Sequence, residues 1–274
     1  MSDIFSPFTE RILMINKWTS QYEGLVAGFT TKNGGVSLEE FSTLNTGFHV
    51  KDNNHAVIRN RELIAKDVAF PTSSWVGCEQ THEVNILKIE NHHKNRGALD
   101  YESALKGIDG IYTKESGILL TLCYADCVPL YFLAPQHKMI GIAHAGWKGT
   151  VGGIAENMVE CFKKEGIAPS DITVVIGPSI CGDCYVVDDK VLQYVQNKVE
   201  DEVEKPYNQI SEGQYKLDLR LLNAQILRKA NVRIIEVTSL CTSCHENLFF
   251  SHRRDKGKTG RLMSFIGWKE DSSS

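Results

Sequence analysis

Short apolar runs, punctuated by turn residues, set the rhythm of the chain. The run Leu25–Thr31 reads as a strand closed by the turn-forming pair Gly34–Gly35, a helix follows over roughly Ala56–Val68, and strands are predicted near Trp75 and Val84. Residues 91–106 are polar and read as a loop or short helix. From Gly107 onward the pattern sharpens into the buried-strand candidates Gly117–Tyr124, Leu130–Leu133 and Met139–Ala143. Apolar residues at Val151, Ile154, Met158, Val159 and Phe162 have helical spacing, which predicts a helix over Thr150–Glu165 with Thr150 as N-cap and Gly166 at its end. Ile172–Ile176 reads as a strand, Leu217–Ala230 as an amphipathic helix, and Ile234–Leu240 and Leu262–Ile266 as closing strands. Residues 200–213 read as a solvated excursion and 269–274 as a polar tail.

This alternation of strands and helices, with no repeat and no linker rich in Pro, Gly or Ser, predicts a single α/β domain over residues 1–274. The chain is long enough to bury its own core, and its 42% hydrophobic and 23% charged residues are those of an ordinary globular protein. A net charge of -4 argues against a general nucleic-acid binder, which needs a basic face. The most apolar stretch, 117–135, is interrupted by Asp126 and Pro129 and suits two core strands better than a membrane span. The first residues lack a basic segment ahead of an apolar core, so a cytoplasmic location is expected. Eight cysteines there are expected to be free thiols or metal ligands.

Three residues stand where apolar strands give way to turn or polar residues: His82 in VGCEQTH, Cys127 in ADCVP and His144 in HAGWKG. Such strand ends are where open α/β sheets place ligands. One thiolate and two imidazoles fit a catalytic metal site, which keeps a fourth position open, although scattered His and Cys are more often structural. A competing set is the two CxxC pairs, Cys181/Cys184 and Cys241/Cys244, which on spacing suggest a four-thiolate structural zinc. The long interval between the pairs, holding a predicted helix and strand, counts against it. The segment Ser251–Arg261 carries Arg253, Arg254 and Arg261 among glycines and suits an anion such as phosphate, or is simply a solvated charged loop. Lys148, at the start of a helix, is a second anion candidate. Asp126, beside Cys127, is a candidate proton shuttle or a partner orienting a ligand.

Eight stretches in order (TTKNGGVS, LNTGFHVKDN, VGCEQTHEV, GIDGIYT, ADCVP, HAGWKGT, GPSICGDCYVV and FFSHRRDKGKTGRLMSFIG) make the chain resemble the bacterial YfiH/YlmD laccase-domain family from about Thr30 to Gly267. The resemblance implies a four-layer α-β-β-α fold. It also implies a metal, usually zinc, on His82, Cys127 and His144, and no ligand role for the first Cys of each CxxC pair. The implied activities are phosphorolysis of adenosine, inosine, guanosine and methylthioadenosine, with adenosine deamination, so that purine nucleosides and phosphate are the expected partners. Lys148 and His252 depart from the Arg and Tyr of the family pattern. Copper-dependent polyphenol oxidation is the alternative, since two His and one Cys are also a blue-copper set. Nine histidines with no His-x-His pair do not suit a multicopper cluster, and a nucleoside-binding protein without turnover is the non-enzymatic alternative.

Overall fold

Residues 262–268 show how the chain sorts its apolar side chains. Leu262 and Ile266 point into one core and Met263 and Phe265 into another, as the two-residue period of a strand requires. The same alternation along neighbouring strands makes a sheet that is buried on both faces. The computed structural model describes residues 3–199 and 204–270.

In chain order the strands are β1 (Phe5–Pro7), β2 (Ile12–Ile15), β3 (Leu25–Thr30), β4 (Trp75–Glu79), β5 (Ile86–Lys88), β6 (Leu105–Lys106), β7 (Gly110–Thr113), β8 (Ile118–Tyr124), β9 (Val128–Ala134), β10 (Met139–Ala145), β11 (Thr173–Ile176), β12 (Val186–Asp188), β13 (Tyr207–Ser211), β14 (Gln214–Leu217), β15 (Ile234–Val237) and β16 (Leu262–Trp268). The helices are α1 (Asn16–Gln21), α2 (Asn54–Val68), α3 (Trp147–Gly152), α4 (Ile154–Lys164), α5 (Asp189–Gln196) and α6 (Leu219–Lys229). One sheet runs β1-β2-β3-β16-β8-β4-β6, a second β15-β11-β9-β10-β7-β5, and a small third β12-β14-β13.

The two large sheets face each other across a core that joins Phe29, Leu120 and Ile266 of the first to Tyr131, Ile140 and Ile142 of the second. Helix α2 covers the outer face of the first sheet with Ile64 and Val68, and α4 and α6 cover the second with Met158, Phe162, Leu222 and Ile226. The result is the four-layer α-β-β-α arrangement that the sequence resemblance implies.

Several local expectations need correction. The helix expected over 150–165 is two helices, α3 and α4, broken where Gly153 adopts φ +97°, a left-handed conformation costly for any other residue. Thr150 is therefore not an N-cap: it lies inside α3, buried, with its hydroxyl accepting from Asn223 Nδ2 at 3.0 Å. The strand expected near Val84 begins at Ile86. Within the expected excursion 200–213, residues 200–203 lie outside the described residues and 207–211 form the first arm of the β13–β14 hairpin. Of the expected tail 269–274, residues 271–274 also lie outside them. Strands β1 and β2, which no strong periodicity announced, extend the first sheet, and buried Trp18 of α1 packs beneath them.

Candidate metal centre and its cavity

The register of the second sheet brings the candidate donors together. In the β9–β10 hairpin Val128 pairs with Ala145 and Pro129 with His144, so Cys127, the residue before Val128, falls beside His144. Strand β7 flanks β10 on the other side with Gly110 opposite Ala143, which sets Asp109 against His144. His144 N donates to Asp109 O at 2.7 Å, and its ring Nδ1 lies 2.9 Å from Asp109 Oδ1. The same carboxylate accepts the backbone N–H groups of Thr81, His82 and Glu83, each at 3.0 Å, and so holds the loop that carries His82. Gln80 clamps the start of that loop to β8, through Nε2 to Cys123 O and Cys123 N to Oε1, both at 2.8 Å.

One donor atom each from His82, Cys127 and His144 lies within 4.8 Å of the others. The two rings are nearly perpendicular, with centroids 4.7 Å apart. His82 and Asp126 both take positive φ, 63° and 86°, sparsely populated for residues with side chains and often found at functional loops. Gly146 leaves the clearance: a Cβ there would stand 3.0 Å from Cys127 Sγ and 3.2 Å from His82 Cδ2. The donor chemistry fits a bound metal, because a ligating His commonly passes its other ring nitrogen to a carboxylate, as His144 does to Asp109.

The electrostatics agree. Burial works against a charged Cys127 thiolate, yet His144 and His82 outweigh it and bring the thiol down to about 6. Burial likewise opposes a charged His144, but Cys127 and Asp109 raise it to about 9. Asp109 would rise through burial alone; His144 and the backbone N–H groups of Glu83 and Thr81 keep it below the ordinary carboxylate value.

The triad opens onto a cavity of about 290 Å³ whose wall also includes His49, Glu79, Tyr101, His252 and Arg261. A larger cleft of about 450 Å³ beside α6 is lined by Lys198, Gln225 and Lys229 among others, with no thiol or imidazole among the described residues of its wall.

The other expected site residues separate into groups. Arg261 lines the cavity, its backbone held by Asn45 and Thr46. Arg253 belongs to a neighbouring cleft, over the Tyr185 ring and donating to Val186 O at 2.7 Å. Arg254 is engaged by Asp255 and by the carbonyls of Thr242, Ser243 and Phe249, and so braces its own loop. Lys148 is exposed beside Trp147, outside the cavity wall. Asp126 does not line the cavity either. Its two oxygens accept from Thr242 Oγ1 at 2.6 Å and Arg253 N at 2.7 Å, so it ties the Cys127 loop to two distant segments. The four CxxC cysteines, whose long interval counted against a shared site, converge within 4.8 Å of one another. Asp109 was missed by sequence reasoning, although its position before a strand in GIDGIYT was a usable signal.

Residues 26–269 match the family described as multi-copper polyphenol oxidoreductase laccase. The chain belongs to this family. Within the laccase family it is 49% identical to the purine nucleoside phosphorylase YlmD of Geobacillus stearothermophilus, across 91% of this chain and 92% of that relative. It is 48% identical to the protein of the same name from Bacillus subtilis, across 97% and 98%. The crystal structure of YlmD from Geobacillus stearothermophilus superposes with a TM-score of 0.95 at 47% identity, covering 98% of this chain and all of that one. The resemblance first seen in short motifs thus extends over nearly the whole chain.

Proposed function

We propose that this laccase-family chain is a zinc-dependent purine nucleoside phosphorylase acting on adenosine, inosine, guanosine and methylthioadenosine, with adenosine deamination at the same site. The observation that carries the reading is the cavity wall itself, where the His82–Cys127–His144 donors share one space with Arg261. The names of the YlmD relatives support it.

Phosphorolysis forms a bond from a phosphate oxygen to C1′ of the ribose and breaks the C1′–N9 bond, releasing the free base. A zinc ion held by His82, Cys127 and His144 would supply positive charge that orients and polarises an oxygen of the reactants. Arg261 provides a fixed cation for phosphate, taking over the role that sequence reasoning spread over Lys148, Arg253 and Arg254. Tyr101 and His49, with ring centroids 6.1 Å apart, offer flat faces for a purine. His49 and His252 are the cavity imidazoles outside the metal set; burial and Arg261 push His49 down to about 4, which leaves His252 and Glu79 as the groups of the wall to move a proton. A reducing, cytoplasmic setting, in which the Cys127 thiolate persists, belongs to the same proposal; among the described residues no helix is long and apolar enough to cross a membrane.

Multicopper oxidation is disfavoured by the donors. Groups of three or more metal-binding residues among the described residues are the His82/Cys127/His144 set and the four cysteines, and neither supplies a histidine-rich copper cluster. The test is product analysis of adenosine and inosine with zinc-loaded protein, with and without phosphate, beside Cys127→Ala. Phosphate-dependent free base with ribose 1-phosphate, lost in the variant, is expected; inosine formed from adenosine without phosphate measures the deamination. Absence of both products, with phenol oxidation by copper-loaded protein, overturns the proposal in favour of the oxidase.

A further inference from the structure

Cysteines from two distant segments meet on the face where β12 begins. A parallel bridge between Ser179 and Cys241, followed by Thr242 N donating to Ser179 O at 3.1 Å, lays the two CxxC segments side by side, although Cys181 and Cys241 are 60 positions apart. Each pair is bent by a turn: Cys184 N and Tyr185 N donate to Cys181 O, both at 3.1 Å, and His245 N donates to Cys241 O at 3.0 Å. The long interval that counted against a shared site in the sequence is therefore bridged by backbone pairing.

We propose that Cys181, Cys184, Cys241 and Cys244 hold a structural zinc ion, separate from the His82–Cys127–His144 set and contrary to the resemblance, which implies no ligand role for Cys181 and Cys241. Four sulfurs about 2.3 Å from a tetrahedral zinc must lie about 3.8 Å from one another. Here Cys181 Sγ is 3.9 Å and Cys184 Sγ 3.4 Å from Cys244 Sγ, and all four sulfurs fall within 4.8 Å. A disulfide would join two of them at about 2.05 Å and would leave the convergence of the other two without a purpose. Cys241 Sγ accepts two backbone N–H groups, from Cys181 at 3.2 Å and Cys244 at 3.4 Å, an arrangement that offsets thiolate charge. Lys216, held by Asp183 inside the first pair at 2.8 Å, adds a cation beside the cluster. Four soft sulfur donors, with no imidazole in the set, select a closed, non-catalytic site and favour zinc over harder divalent ions.

Such an ion has structural work to do. The segments it joins also hold the loop of Cys127: Ile180 N donates to Asp126 O at 3.0 Å, while Thr242 Oγ1 and Arg253 N occupy the Asp126 carboxylate. The four-sulfur ion would tie together the two supports of the loop that carries the thiolate of the catalytic set.

The experiment is metal analysis and zinc-edge absorption of wild type, Cys127→Ala and the double variant Cys184→Ser/Cys244→Ser. The Cys127→Ala protein is expected to keep zinc in a shell of four sulfurs at about 2.3 Å, and the double variant to hold about one zinc per chain fewer than wild type. In parallel, the four cysteines of native wild-type protein should resist alkylation until a chelator is added; this readout survives even if the double variant fails to fold. Equal labelling with and without chelator, a disulfide among the four, or zinc absent from Cys127→Ala overturns the site. Failure of the phosphorolysis assay alone leaves these metal readouts unchanged, so the two proposals fall separately.

Discussion

Two donor clusters of similar span sit in opposite surroundings. Around Cys127 three donors meet at a cavity wall, with His144 buried, His82 exposed and a carboxylate holding both in place. Around Cys241 four sulfurs meet at the surface, held by backbone N–H groups and a strand bridge. Three donors leave a coordination position for chemistry, whereas four close the shell. The difference lies in what surrounds the donors: an organised polar shell and a cavity in one region, a backbone staple in the other.

The sharpest way to break this comparison is Cys127→Ala. Turnover is expected to fall further than the ~100-fold typical of changes behind the ligands, while the four-sulfur zinc remains, as metal analysis would show. Asp109→Asn should lower metal affinity at the triad or kcat/KM by about 10–100-fold, measured by chelator competition and steady-state rates; an unchanged affinity would mean that Asp109 serves only the fold.

The pH dependence has a definite sign. Between about 6 and about 9 the metal-free site pairs a Cys127 thiolate with a His144 imidazolium. A metal needs the neutral imidazole, so binding expels one proton and affinity should climb about tenfold per pH unit across that window, flattening above it. Titration at fixed ionic strength checks the slope.

Arg261→Ala should raise KM for phosphate by about tenfold, as expected for losing a hydrogen bond to a charged group, without changing metal content. Arg254→Ala should instead lower the melting temperature, because its guanidinium holds three backbone carbonyls and Asp255. The smallest effect on turnover is expected from Cys184→Ser/Cys244→Ser, several-fold at most, with its main cost in melting temperature at about 2–4 °C per kcal/mol.

Much of the fold and of the open metal set is legible in the order of residues along the chain. Strands with a two-residue period, the amphipathic faces of α2 and α6, and the positions of His82, Cys127 and His144 at strand ends can all be read from local order. The reading fails where a residue's role depends on what lies across space. Arg61 sits on α2 like any polar helix residue, yet it is buried and its guanidinium donates to the carbonyls of Thr46, Gly97 and Ala98. Asp126 draws attention because of its neighbour Cys127, while its hydrogen bonds to Thr242 and Arg253 could not be read from the chain.

By itself, then, the sequence determined the alternation of layers and the family, and the family resemblance singled out His82, Cys127 and His144, because periodicity and motif order are local properties of the chain. Only the tertiary structure decided which cations face the cavity, that Asp109 holds the His82 loop and the His144 ring of β10 at once, and that two CxxC pairs form one cluster. Those outcomes depend on strand register and on hydrogen bonds between segments distant in sequence, and no local pattern encodes a register.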